Sequence, residues 1–117
     1  MYEEVIDRRV ARNETLGVQP PVQIRLLVEG EIDADTGYVV DVAILKQLAE
    51  ELVVAQLDHR NLNLDVSWFR NRLPSAENIA VFCWEQLAPR IPRGRLALLR
   101  LWETPRNYVE YDGRENA

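Results

Sequence analysis

Asp58 and His59 stand side by side in the run Leu57-Asp58-His59-Arg60-Asn61-Leu62-Asn63, and His59 is the single histidine of the 117-residue chain. A carboxylate beside an imidazole fixes its orientation and raises its basicity, which gives a general base near neutral pH. The same pair is equally at home in a polar loop ordered by side-chain hydrogen bonds, with Asn61 and Asn63 as turn formers. Glu103 is the second candidate. Strand alternation puts it on the side of Leu99 and Leu101, where a carboxylate is costly unless it is paired. It reads either as a strand-end glutamate in solvent or as a ligand anchor. An ionised carboxylate accepts two parallel N–H donors, the pattern along the amino-pyrimidine edge of a pterin or guanine. Thr104-Pro105 fixes the turn directly behind it.

Other reactive residue types are few. Cys83 shares a helix face with Ile79, Phe82 and Leu87 and reads as a small core residue, with no helix N-terminus or cation beside it to activate the thiol. As the lone cysteine it excludes an internal disulfide and any multi-cysteine zinc knot. Lys46 is the single lysine among fourteen basic residues, on what reads as an exposed helix face, which leaves little scope for Schiff-base chemistry. Arg90, Arg93, Arg95 and Arg100 form a basic stretch. It serves either as a solvated surface run or as a contact for a phosphorylated substrate or for acidic patches on a neighbouring subunit.

The overall balance narrows the function classes. A net charge of −5 argues against a nucleic-acid partner, because neutralising phosphates needs a net basic face. The apolar runs fall far short of the ~20 residues a membrane span requires. The start Met1-Tyr2-Glu3-Glu4 lacks the charged lead and apolar stretch of a secretory signal, so a cytoplasmic location is expected. At 47% hydrophobic residues, positions 1–117 are expected to form one domain.

The elements that position these residues follow from periodicity. Tyr2 to Ala11 reads as a first strand, and Arg12 to Pro21, with Asn13, Gly17 and Pro20-Pro21, as a connection. Val22 to Gly30 alternates as a strand with Val22, Ile24, Leu26 and Val28 on its apolar face. A turn-rich stretch then leads to a short strand, Tyr38-Val39-Val40. Asp41 caps a helix whose stripe is Leu45, Leu48, Ala49 and Leu52. Ser75 caps a second helix, with Glu77 near its positive end and with Ile79, Phe82, Cys83, Gln86 and Leu87 on one face. This helix must stop before Pro89 and Pro92. Leu96 to Glu103 and Asn107 to Asp112 complete the strands. The order strand, strand, helix, helix, strand, strand predicts an α+β layer with an antiparallel sheet.

Taken together, several segments resemble the 6-pyruvoyl-tetrahydropterin synthase and 6-carboxy-tetrahydropterin synthase family. They are Val28-Glu29-Gly30-Glu31-Ile32-Asp33, Gly37-Tyr38-Val39-Val40-Asp41, Leu57 to Asn63, Pro74-Ser75-Ala76-Glu77-Asn78 and Trp102-Glu103-Thr104-Pro105. The resemblance runs from about Val22 to Asp112. It implies the tunnelling fold: a four-stranded antiparallel sheet with two helices on one face, whose copies join into a β-barrel, commonly a hexamer made as a dimer of trimers with sites between subunits. It assigns Glu103, with Ser75 and Ala76, to a pterin ring. Asp58 and His59 match the family's catalytic pair, which works with a cysteine from the loop between the first two strands.

In that loop this chain departs from the family. The family's zinc-binding histidines fall on Val18 and Pro20, the stretch Ile6 to Ala11 has no histidine, and no cysteine is present there. A catalytic zinc takes three protein ligands, so no metal and no cofactor is expected. The resemblance therefore implies a homologue that binds a pterin or related bicyclic heterocycle without the zinc-dependent synthase reaction. The alternatives are a metal-free, lyase- or aldolase-like enzyme acting on a pterin side chain through Asp58 and His59, or a scaffold pseudoenzyme.

Overall fold

Ile24, Leu26 and Val28 are fully buried while Gln23, Arg25, Leu27 and Glu29 between them are half-buried, so β2 (Gly17–Glu29) has one face on a core and one turned away from it. The structure, a computed structural model, describes residues 2–14, 17–57, 62–104 and 106–114. β2 pairs antiparallel with β1 (Tyr2–Glu14) on one edge and with β3 (Arg95–Trp102) on the other. β4 (Tyr108–Tyr111) follows β3 antiparallel, which gives a four-stranded sheet in chain order. The fold is the predicted α+β arrangement.

The expected connection over Arg12 to Pro21 is corrected: β1 continues to Glu14 and β2 begins at Gly17. Pro20 and Pro21 are tolerated because the β3 ladder stops at Gln23 opposite Trp102, leaving β2 paired on one side alone at the prolines. A missing N–H matters least on such an edge, and the β1 pairing is itself irregular between Ala11 and Asn13.

The expected strand Tyr38-Val39-Val40 is also absent. Its hydrogen bonding is used inside the preceding loop, where the Asp33 N–H donates to the Tyr38 carbonyl at 3.0 Å and the Gly37 N–H to the Asp33 carbonyl at 2.8 Å. Val39 and Val40 are nonetheless buried and seal the core under that loop.

Asp41 caps α1 (Val42–Ala49) as its residue type predicts, Oδ1 accepting from the Ala43 N–H at 2.9 Å. The helix then widens into a π-helical turn, Glu50–Val54, before α2 (Ala55–Leu57). The wide turn explains which residues face inward. Leu45, Ala49, Val53 and Leu57 are all fully buried, at a constant spacing of four. In an unbroken α-helix that spacing would drift by roughly 40° at each step, and the π turn absorbs the drift. Leu45 and Ala49 of the expected stripe are fully buried, and Leu48 and Leu52 pack half-buried against the same core.

After α3 (Leu62–Asp65) and a 3-10 turn at Ser67–Phe69 comes α4 (Ala76–Leu87). Ile79, Phe82, Cys83 and Leu87 join Leu99 and Leu101 in one core with the α1 stripe, so both helical segments cover the same face of the sheet. Phe69, Phe82 and Trp68 meet with ring centroids 4.7 to 5.6 Å apart and close the far end of this layer. No helix among the described residues is long and apolar enough to cross a membrane.

Candidate functional site

Glu103 follows directly on β3, two residues beyond the buried Leu101, and is half-buried where the core layer ends. Its backbone is tied down. The Glu103 N–H donates to the Asn107 carbonyl at 2.9 Å, the Thr104 N–H donates to the same carbonyl at 3.3 Å, and Thr104 Oγ1 accepts from the Asn107 N–H at 3.1 Å and the Arg106 N–H at 3.3 Å. The β3–β4 connection is thus closed by its own polar groups. Asn107, which sequence reasoning passed over, is the residue that locks it. Its place between two strand patterns, beside a proline turn, was the available signal.

Ser75 and Ala76 begin α4 because a hydroxyl can take the first free amides of a helix: Ser75 Oγ accepts from the Asn78 N–H at 3.2 Å. Asn78 Nδ2 in turn donates to the Leu73 carbonyl at 2.8 Å, which fixes the entering chain. Pro74 and Ala76 are buried, and Ser75 is half-buried. The other end of α4 lies at the start of β3, joined to it through residues 88–94. Trp84 meets Tyr111 edge-on at 5.5 Å, and Tyr111 pairs opposite Leu99. The N-terminal end of α4 therefore points toward the Glu103 end of the sheet.

Asp58 and His59 lie outside the described residues, between the end of α2 and the start of α3. Cys83 is fully buried in the core, and burial pushes its thiol well above the ordinary range, so it holds its proton at neutral pH. No group of three His, Cys, Asp or Glu side chains among the described residues could hold a metal, and the chain carries one histidine in all. Val18 and Pro20, where the family resemblance puts histidines, sit on β2 and have no donor atom to offer.

The arginine stretch resolves largely into local pairs. Arg93 bonds Asp33, Arg95 bonds Glu29, and Arg100 bonds Glu110 at 2.7 Å. Asp33, which the sequence did not single out, also accepts from the Asp35 N–H at 2.8 Å and the Thr36 N–H at 3.2 Å. These backbone bonds, with Arg93 beside them, hold its carboxyl below the ordinary value of 3.8.

Comparison with known proteins follows the same lines. Residues 21–114 match the family model described as 6-pyruvoyl tetrahydropterin synthase. The chain is 40% identical over 91 residues to a human protein named 6-pyruvoyl tetrahydrobiopterin synthase, which covers 78% of this chain and 63% of that one. It is also 40% identical over 81 residues to a Pyrococcus furiosus protein named dihydroneopterin monophosphate aldolase, covering 68% and 64% of the two chains. The chain thus spans slightly less than two thirds of the length of these relatives. The fold matches that of the Caenorhabditis elegans 6-pyruvoyl tetrahydropterin synthase, with a TM-score of 0.87 at 23% identity over 97% of this chain and 96% of that one. The chain belongs to the 6-pyruvoyl tetrahydropterin synthase family.

Proposed function

We propose that residues 1–117 act as one cytoplasmic pterin-binding unit, a family homologue that grips the heterocycle through Glu103 and does not carry out a zinc-dependent synthase reaction. The observation that carries this reading is the retained Glu103 on a closed turn, in a family whose members are named for pterins, with no set of three metal donors among the described residues. Glu103 accepts from the ring's amino-pyrimidine edge. Ser75 and Ala76 bound the ring from the start of α4, and a homohexamer built as a dimer of trimers completes the site between subunits. Family membership supports the assembly and the ligand class.

The test is a pterin titration read by ligand fluorescence. A bidentate, charge-assisted contact contributes about 1.5–3 kcal/mol, so Glu103→Gln should weaken binding roughly 10- to 150-fold. Stoichiometric zinc found by elemental analysis of purified protein would overturn the metal-free part. Absence of quenching with every pterin tried would leave the scaffold reading in its place.

A second reading is favoured by the similarity to the Pyrococcus furiosus aldolase and by retention of Asp58 with His59. In it the pair moves protons on the pterin side chain without metal, His59 as the base and Asp58 as its orienting carboxylate. Turnover of a dihydroneopterin phosphate, lost in His59→Ala while binding persists, separates this from binding alone.

A further inference from the structure

Gln86 is a half-buried polar residue on the face of α4 that also carries the buried Ile79, Phe82 and Cys83, and the Glu103 site leaves it unused. Phe82 stands one turn before it. Leu52 and Gln56 repeat this order, an apolar residue and then an amide four residues on, where the π turn runs into α2. These four, with Ser67 and Trp68 from the 3-10 turn, line one cavity of about 460 Å³. That volume lies in the range of roughly 300–1,000 Å³ typical of small-molecule sites.

Trp68 is held in place by the protein itself. Its Nε1–H donates to Glu85 Oε2 at 2.7 Å, the Arg72 guanidinium lies 3.8 Å from the centre of its ring, and Arg72 Nη1 donates to its carbonyl at 3.1 Å. With its polar edge engaged, Trp68 offers the cavity ring carbon, as does Phe82, which meets it edge-on at 5.6 Å. By contrast, the carboxamides of Gln56 and Gln86 and the hydroxyl of Ser67 make no hydrogen bond among the described residues. A ligand can take these groups without breaking a bond of the protein, and the fixed aromatic wall lowers the ordering cost of binding. Asp65, which also lines the cavity, has an interaction of its own.

We propose that this cavity binds an uncharged heterocycle of the nucleobase class, as the free base or nucleoside. The open groups are neutral, and each both donates and accepts. They suit a ring edge where an amino group stands next to a ring nitrogen, with which a glutamine carboxamide pairs through two bonds. Trp68, Phe82 and Leu52 cover the flat apolar body of such a ring. A net charge of −5 disfavours the same base within a nucleic acid. Glu103, Ser75 and Ala76 do not line this cavity, so the site does not depend on the pterin reading.

The test is titration of the full chain with adenosine, and in parallel with ribose and with an oligoadenylate, by calorimetry. Saturable adenosine binding is expected, weakened about fivefold or more in Gln86→Leu or in the exposed Gln56→Leu, the low end of what two-point amide pairing with a base contributes. Both variants should fold, since neither loses a side-chain hydrogen bond; circular dichroism checks this. No saturable binding, or binding equal to wild type in both variants, would overturn the assignment. Ribose bound as tightly as adenosine would give the cavity to polyols, and an oligoadenylate bound more tightly per base would give it to nucleic acid; either result sinks the proposal. So would adenosine binding that is lost in Glu103→Gln and kept in the glutamine variants, which would move the base to the proposed pterin site.

Discussion

Gly94 sets the point at which β3 joins β2, and replacing it with alanine should cost far more than the added methyl group suggests. Its φ is +72°, in the left-handed region, where a side chain costs about 1–2 kcal/mol. The new Cβ would also run into the Glu29 carbonyl oxygen, lie 3.2 Å from the carbonyl carbon and 3.3 Å from Val28 Cγ1. That carbonyl is strand backbone and cannot rotate aside. Glu29 pairs with Arg95, the residue after Gly94, so relief requires opening the end of the ladder at about 1 kcal/mol per hydrogen bond lost, together with packing around the buried Leu96. The expected loss is above about 3 kcal/mol, a large part of a total of about 5–15 kcal/mol.

Gly37 supplies the control. Its φ is +80° and a Cβ there would meet nothing within 4 Å, so Gly37→Ala carries the backbone strain alone. Restricting the unfolded chain returns about 0.4–1 kcal/mol, leaving a net cost of about 1 kcal/mol. Urea unfolding followed by tryptophan fluorescence measures both, provided that the slope of the transition is unchanged. Equal losses in the two variants would refute the collision and with it the close approach of Gly94 to β2. Because Gly94 directly precedes β3 and Glu103 directly follows it, any Gly94→Ala protein that folds should also lose affinity at the proposed Glu103 site.

Two further outcomes follow from the titratable groups. Cys83 should resist thiol reagents at pH 8 in the folded protein and react on unfolding, and Cys83→Ser should cost about 1–3 kcal/mol by burying a hydroxyl in an apolar site; rapid native labelling would show that the thiol is not enclosed as described. Asp33 has its folded pKa below its unfolded value, so its contribution to stability is present above about pH 4 and is lost as the pH falls through the folded pKa. The urea midpoints of wild type and Asp33→Asn should therefore differ at pH 7 and converge on acidification, and a gap that persists to low pH would argue against the assignment.

Much of this was legible from residue order. Strand alternation in Ile24, Leu26 and Val28, the caps Asp41 and Ser75, and the Phe82-Cys83 face of α4 each obey a local rule, and local rules are visible in a sequence. The misreadings came where tertiary context overrode them. Pro20 and Pro21 look like breakers until the end of the β3 ladder is known, and Tyr38-Val39-Val40 looks like a strand until its preceding loop is seen to use the hydrogen bond. For the site, Glu103 could be proposed from its apolar company. The register that sets Arg25 opposite Arg100 could not, since it depends on how two distant segments align and on the bulge between Leu27 and Val28.

The widened turn at Glu50–Val54 has a consequence for reading relatives of this protein. A π turn is an α-helix that has accepted one residue too many, so a homologue with one amino acid fewer here would regain a regular helix at little energetic expense. A one-residue gap at this point in an alignment is therefore a change of helical pitch. The positions beyond it, through Leu57, would keep the faces they have now, because the wide turn is what absorbs the extra residue.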